Sequence, residues 1–387
     1  MKEQKKEELI KELTVYWGQV PVTVNFSYGS QNFFHFILVR VSNGVEEGWG
    51  EILSIPDKQF LSSAGRLIGR DALELDVLLD AVFGIEDLRR EAFSIALHDL
   101  VSKVGNLPFY ALLGSLDRRR IPLMPCIFYK SISEVKPITQ FYLSKGFKHL
   151  KVKLVGKTNN DIKVISEIRC LADKSISLTG DVNEGYSFGD LQSGLLKDFK
   201  EAGLNIIEDP CRASPQEYAQ LRSPEHPLIM IDCLGRKDHL FSNIIDCASA
   251  DIVNLHPCQQ GSVSRVMKRS QACEANNIKV MIGGTGYLGI GSAAYHHLAG
   301  VAGCELPCGE IGGWFDHGMP KLIRNSSVLK TSDHAFLTDD PGHGATPNLE
   351  HLEMYLTGSK KFSSPRSSIE ILSLGAIPDN SSAASIK

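Results

Sequence analysis

No uninterrupted apolar run in this chain approaches the roughly 20 residues needed to cross a bilayer. Charge of one sign is also missing: 41 Lys and Arg stand against 45 Asp and Glu, a net charge of −4. No basic stretch can follow a phosphate backbone, so neither a membrane nor a nucleic acid is an expected partner. A paired cysteine framework is absent. Nine cysteines, an odd number, are scattered along 387 residues, which favours reduced, buried thiols over disulfides. Cys304 and Cys308 form a C-x3-C pair, but no second pair or histidine at zinc-finger spacing completes a soft-metal site. No G-x-G-x-x-G follows the first strand of the alternating region, which weakens the case for a doubly wound open sheet. The His-x-His ligand sets of metal-dependent hydrolases are not present on the strands either. The start, MKEQKKEELIKEL, is too charged for the apolar core of a secretory signal, so a cytoplasmic enzyme is the expectation.

What is present is an ordinary globular composition, 43% hydrophobic and 22% charged, in a chain too long for one core. Over residues 1–120 the pattern is α+β. Strands are expected at Leu13–Val22, Phe33–Val41 and Gly48–Glu51, with the turn Ser42-Asn43-Gly44 after the second. Helices follow over 58–113. From 121 to 335 the texture alternates between strand and helix. Strand candidates are Pro122–Phe128, His149–Leu154, Ile176–Gly180, Leu204–Ile207, Leu228–Ile231, Asp251–Leu255, Lys279–Ile282 and Cys304–Leu306. Eight short apolar strands separated by helical segments predict a parallel α/β barrel. Residues 336–357, with Pro341-Gly342-His343-Gly344, are expected to pack back on the first domain. The Ser-rich tail 358–387 is expected to be poorly ordered, although Ile369–Leu374 can dock locally.

Three acids end three successive apolar runs: Asp181 after ISLTG, Glu208 after LNII and Asp232 after PLIMI. Their spacing is roughly one βα unit, so three neighbouring parallel strands would present a carboxylate at the same face. Converging carboxylate oxygens suit a hard cation, Mg²⁺ first. Each acid alone reads more simply as a solvated loop residue or a helix cap; three in series do not. One strand earlier, Lys151-Val152-Lys153 puts two lysines on one strand face. A surface pair is the plainer reading of that tripeptide. Next to a cation-rich site, however, a lysine pKa falls, and a neutral lysine can take a proton from carbon. Asn183 can orient water, substrate or a neighbouring carboxylate. His256 follows the sixth strand and would face the lysines across the barrel mouth, as a structural hydrogen-bonder or as an acid for the other face of a substrate.

Taken together and in order, these residues resemble the enolase superfamily, and within it the muconate-lactonizing-enzyme-like subgroup of the mandelate racemase/muconate lactonizing enzyme family. The motifs that carry the resemblance are Gly48-Trp49-Gly50-Glu51, Leu112-Leu113-Gly114, K-x-K at 151–153, D-x-N at 181–183, Glu208-Asp209-Pro210, Asp232 and Gly283-Gly284-Thr285. The resemblance implies an α+β capping domain and a modified (β/α)7β TIM barrel. It implies Mg²⁺, with Mn²⁺ a substitute, on Asp181, Glu208 and Asp232, supported by Asn183 and Asp209. It also implies removal of the α-proton of a small carboxylate to give a metal-stabilised enediolate, a family chemistry that uses Lys or His bases. Lys153 becomes the general base and Lys151 its electrostatic neighbour. Tyr28 would lie on a mobile loop over the substrate. Thr285, Tyr287 and Glu305 are further substrate-contact candidates; Glu305 and Glu310 could meet a cationic group, although a solvated or helix-capping role is the plainer reading of both, and a homo-oligomer is expected.

Three positions depart from the subgroup pattern. His256 stands where a second lysine is usual, Cys233 where an acid usually follows the third ligand, and Tyr287 or Leu288 where a glutamate is frequent. Racemisation, epimerisation or cycloisomerisation is the first expectation. β-Elimination at the same site and a metal-binding homologue without catalysis are the alternatives.

Overall fold

In a computed structural model the described residues are 9–26, 29–84, 86–236, 238–284, 287–304, 306–310, 322–324 and 333–363. The N-terminal strands β1 (Glu12–Phe26), β2 (Gly29–Ser42) and β3 (Glu47–Ile52) form an antiparallel meander. Asn43 closes the β2–β3 turn by accepting the amides of Val45 and Glu46, while Gly44 adopts φ 89°. Helix Glu91–Val104 lies directly on β3. It can do so because two glycines of the Gly48-Trp49-Gly50-Glu51 run face it. A Cβ on Gly48 would fall 1.9 Å from the Ala96 carbonyl oxygen, and one on Gly50 1.8 Å from that of Ala92.

The barrel strands are β4 (Arg120–Ile127), β5 (His149–Lys153), β6 (Ser177–Asp181), β7 (Ile206–Glu208), β8 (Leu228–Ile231), β9 (Ile252–Leu255), β10 (Lys279–Ile282) and β11 (Cys308–Glu310). They pair in parallel in the order β10-β9-β8-β7-β6-β5-β4-β11. No ladder joins β10 to β11 among the described residues, but the two ends meet: a Cβ on Gly309 would lie 2.9 Å from the Gly284 nitrogen. The result is a nearly closed α/β barrel beside a separate antiparallel sheet. Short pairings complete the described chain: β12 (Ile323–Arg324) with β14 (Thr346–Pro347), and β13 (His334–Phe336) antiparallel to β4.

Two expectations differ from the structure. The eighth barrel strand is Cys308–Glu310 and not Cys304–Leu306. Helix Ile290–Val301 runs out at Gly303, which has φ 57°, and the Cys304 thiol then contacts the carbonyls of Val280 and Leu306 in the turn. Cys304 belongs to the outer apolar core and Leu306 packs against the inner cluster. Residues 358–363, read from the sequence as the start of a poorly ordered tail, belong to strand β15 (Leu356–Ser363). It pairs antiparallel with the edge of β1 and gives the sheet order β15-β1-β2-β3. Ile369–Leu374 lies outside the described residues. Among the described residues no helix is long and apolar enough to cross a membrane.

Strand alternation sorts the barrel side chains into two cores. Leu150, Val152, Leu178, Ile207, Ile229, Ile231, Val253, Leu255 and Ile282 face outward into the helical shell. Met124, Ile206, Met230, Ile252 and Met281 form a separate cluster inside the barrel.

Candidate active site

The candidate side chains stand directly above that inner cluster. Two residues on from Met124, Ile206, Met230 and Ile252, on the same strand face, come Cys126, Glu208, Asp232 and Asn254, and two beyond Asn254 comes His256. Lys151 and Lys153 occupy the inward positions of β5, and Asp181 ends β6. Lys153, Asp181 and Glu208 are level with one another in the parallel ladders. Asp232 lies two residues beyond Met230, the partner of Glu208, because strands in a closed barrel are staggered.

The lysines and acids touch. Lys151 Nζ lies 2.8 Å from Asp181 Oδ2 and 2.6 Å from Glu208 Oε2. Lys153 Nζ lies 2.6 Å from the same Asp181 oxygen and 3.0 Å from Asn183 Oδ1. On the far side, His256 Nε2 is 3.7 Å from Asp232 Oδ1. Strand order places β9 four steps from β5 around an eight-strand barrel, so His256 and the lysine pair occupy opposite walls.

The polar groups that hold these side chains include several not read from the sequence. Asn254 Nδ2 donates to Glu208 Oε1 at 3.0 Å, and Gln259 Nε2 to Asp232 Oδ2 at 3.3 Å. Asn254 was legible in principle, since it is the one polar residue inside the strand Ile252–Leu255 and shares a face with His256. Gly283 makes room for the histidine: a Cβ there would sit 2.1 Å from His256 Nε2. Asp209, at φ 43°, turns its carboxylate to the next strand end and accepts the amides of Asp232 and Cys233, each at 2.9 Å. Asn183, at φ 48°, turns the chain in the same way after β6.

Electrostatics follow from this packing. Burial, the largest single effect, works against both lysine charges, but Asp181, Glu208 and Cys126 together overcome it, so Lys151 stands well above its ordinary range and Lys153 above it. The nearest charges to each ammonium are carboxylates, which favour the charged form. Burial likewise opposes Asp181 ionisation, but Lys151 and Lys153 overcome it and lower its pKa. Glu208 is raised by burial, with Asp181 and Asp232 adding to the effect and Lys151 opposing it. Burial, Asp232 and Glu208 push Asp209 up to about 7 against its two amide hydrogen bonds.

The donor set suits a hard divalent cation. Asp181, Glu208 and Asp232 are buried carboxylates on adjacent strand ends, and a cationic group, the Lys151 ammonium, already bridges two of them. Asp209, Asp232 and Cys233 form a tighter group, with ligand atoms within 4.8 Å of one another. Both Asp209 oxygens there are committed to backbone amides, so the strand-end trio is the better cation site.

The remaining sequence candidates separate. Tyr287 is buried, and its hydroxyl meets Glu91 at 3.1 and 3.2 Å and the Tyr295 hydroxyl at 2.6 Å, so it braces the fold instead of lining the barrel mouth. Tyr28, Thr285 and Glu305 lie outside the described residues, as does the side chain of Glu310.

Known proteins place this architecture. The family model described as "Enolase C-terminal domain-like" matches residues 135–351. A cis-3-hydroxy-L-proline dehydratase of Roseibium aggregatum is 25% identical over 288 residues, covering 73% of this chain and 77% of that protein. The crystal structure of N-succinyl Arg/Lys racemase from Bacillus cereus superposes with TM-score 0.80 at 20% identity, covering 91% of this chain and 99% of that one. The dipeptide epimerase of Enterococcus faecalis, complexed with Mg and the dipeptide L-Leu-L-Tyr, gives TM-score 0.76 at 19% identity over 87% of this chain and 99% of that one. With more than half of its length matched by the family model, this chain belongs to the enolase superfamily, among its mandelate racemase/muconate-lactonizing-enzyme-like enzymes.

Proposed function

We propose that the chain removes the α-proton of a small carboxylate substrate and returns a proton to give a racemised, epimerised or cycloisomerised product. One observation carries the reading: Lys153 and His256 stand on opposite walls of a barrel mouth whose floor holds three buried carboxylates. Asp181, Glu208 and Asp232 would hold Mg²⁺, with Mn²⁺ a substitute, and the bound cation would supply the positive charge that binds a carboxylate and stabilises its developing charge.

The residues divide the remaining work. Lys153 takes the α-proton from one side. Asp181 and Glu208 raise the lysines while their charge is otherwise unbalanced; once shared with a cation they hold the ammonium less strongly, and Lys153 can reach its neutral form. Lys151, between Asp181 and Glu208, contributes fixed positive charge beside the substrate. Asn183 holds the Lys153 amine by a second contact and keeps it aimed. His256, buried against Gly283, delivers a proton from the other wall.

If His256 protonates the α-carbon, the outcome is inversion. If it protonates a β-leaving group, the outcome is elimination, a reading that the dehydratase relative favours. A cation-binding homologue without catalysis is motivated by Cys233 and His256, but retention of both lysines against all three acids supports an enzyme. Deuterium exchange at the α-carbon of N-succinyl amino acids, dipeptides and hydroxyprolines, in D₂O with Mg²⁺, tests the proposal. Exchange by the native chain should fall roughly 10²–10⁴-fold in Lys153→Ala. Equal exchange by both chains would refute the base assignment, and no exchange across the panel would favour the non-catalytic reading.

A further inference from the structure

We infer that helix Glu91–Val104 of the N-terminal cap holds His256 in position, with Glu91 and Tyr295 as the positioning residues. The inference rests on the reading of His256 as the second proton-transfer group. Three fully buried groups meet beneath the histidine loop. Tyr295 donates to Glu91 Oε1 at 2.6 Å, Tyr287 reaches both Glu91 oxygens, and the two tyrosine hydroxyls are 2.6 Å apart. The Tyr295 hydroxyl also accepts the amide of Cys258, two residues after His256, at 3.1 Å. Glu91 therefore connects to the histidine loop through one side chain.

Proton counting sharpens the role of Glu91. Three oxygen–oxygen contacts close the Glu91–Tyr287–Tyr295 triangle. Two tyrosine hydroxyls supply only two protons, so the triangle is complete only when Glu91 carries the third. Its surroundings agree: burial pushes Glu91 up to about 8, over the opposing hydrogen bonds from Tyr295 and Tyr287.

The same helix grips the loop at further points. Arg90, just ahead of it, packs so closely on Gly261 that a Cβ there would lie 2.9 Å from Arg90 Nε. Ser94 Oγ accepts the Val263 amide at 3.1 Å, and His98 Nε2 lies 3.4 Å from Ser264 Oγ. The wall behind the histidine ring is tied to the cap as well. Gly283 backs the ring, Tyr287 of the following segment reaches Glu91, and Glu51 of β3 accepts the amides of Leu288, Ile290 and Gly291. His256 is thus held between two loops, both anchored to the cap. Lys151 and Lys153 sit on a barrel strand and meet Asp181, Asn183 and Glu208 at the neighbouring strand ends.

Histidine-ring ¹⁵N–¹H spectra of the full chain with Mg²⁺ test this without a substrate. The His256 signal is the one lost in His256→Gln. Tyr295→Phe, which removes the acceptor of the Cys258 amide, and Glu91→Leu should displace that signal, whereas Glu91→Gln, isosteric with the protonated acid, should leave it in place. An unmoved His256 signal in Tyr295→Phe would overturn the inference, and that conservative variant decides the matter if Glu91→Leu does not fold. The reading beneath it is judged separately: unchanged turnover in His256→Gln would remove the proton-transfer role of His256, while the spectra would still report whether the cap positions the ring.

Discussion

Gly283 matters for the side chain it lacks. A methyl there would lie 2.1 Å from His256 Nε2 and 2.4 Å from Asn254 Oδ1, both buried side chains. Gly283→Ala should therefore cost roughly 10²-fold in product formation while α-proton exchange through Lys153 persists. The measurement is the ratio of product formation to α-deuterium exchange in one reaction; an unchanged ratio would contradict the assignment of His256 to the second side. Asn254 gives a complementary test. It donates to Glu208 Oε1, so Asn254→Leu leaves that carboxylate less firmly oriented. Mn²⁺ binding, followed by calorimetry, should weaken about 10–100-fold with little change in melting temperature.

At the scale of elements, β3 and helix Glu91–Val104 act as one unit. Gly48 and Gly50 let the helix backbone approach, and the helix then carries Glu91, Ser94 and His98 to the histidine loop. Gly50→Ala would force the two elements apart, at a cost of about 1–3 kcal/mol in urea unfolding. Product formation should suffer more than Lys153-dependent exchange, because the His256 loop is anchored through that helix.

Much of the barrel is legible from the strands because alternation has a period of two: Met230 and Asp232, or Ile206 and Glu208, must share a face wherever the strand lies. Cys304–Leu306 misleads because three residues, with Glu305 in the middle, are too few to show a period. The exit of helix Ile290–Val301 turns it into a connection before the strand. Tyr287 misleads for another reason: its place in the chain is next to the site, but its hydroxyl is drawn to a buried acid 196 residues away.

For the whole molecule, burial of titratable groups gives stability a pH dependence with two limbs. Glu91 is raised from 4.5 to about 8, so folding favours its protonated form. Its contribution is complete below 4.5 and is lost as pH rises through about 8. His297 is lowered from 6.5 to about 3 by burial, with His343 and His296 adding to the effect, so folding favours its neutral form. That contribution is complete above 6.5 and is lost as pH falls toward 3. Unfolding free energy measured in denaturant from pH 4 to 9 should flatten on the alkaline limb in Glu91→Gln and on the acid limb in His297→Phe. An unaltered slope in either variant would reject that residue as the source. His343 ties the later chain into the same region, its amide donating to Asp99 Oδ1 at 2.9 Å and its Nε2 lying 2.8 Å from the Trp49 carbonyl oxygen.

The sequence by itself determined which groups the barrel presents: lysines at 151 and 153, acids at 181, 208 and 232, and a histidine at 256. Each follows from local alternation and from where an apolar run stops, properties carried by a few adjacent residues. Tertiary structure alone decided what holds them. Glu51 meets the amides after β10 across 237 to 240 residues, and Glu91 meets Tyr295 across 204. Such contacts exist only after the cap has packed on the barrel, because burial, and not any local period, selects the partner of a carboxylate removed from water.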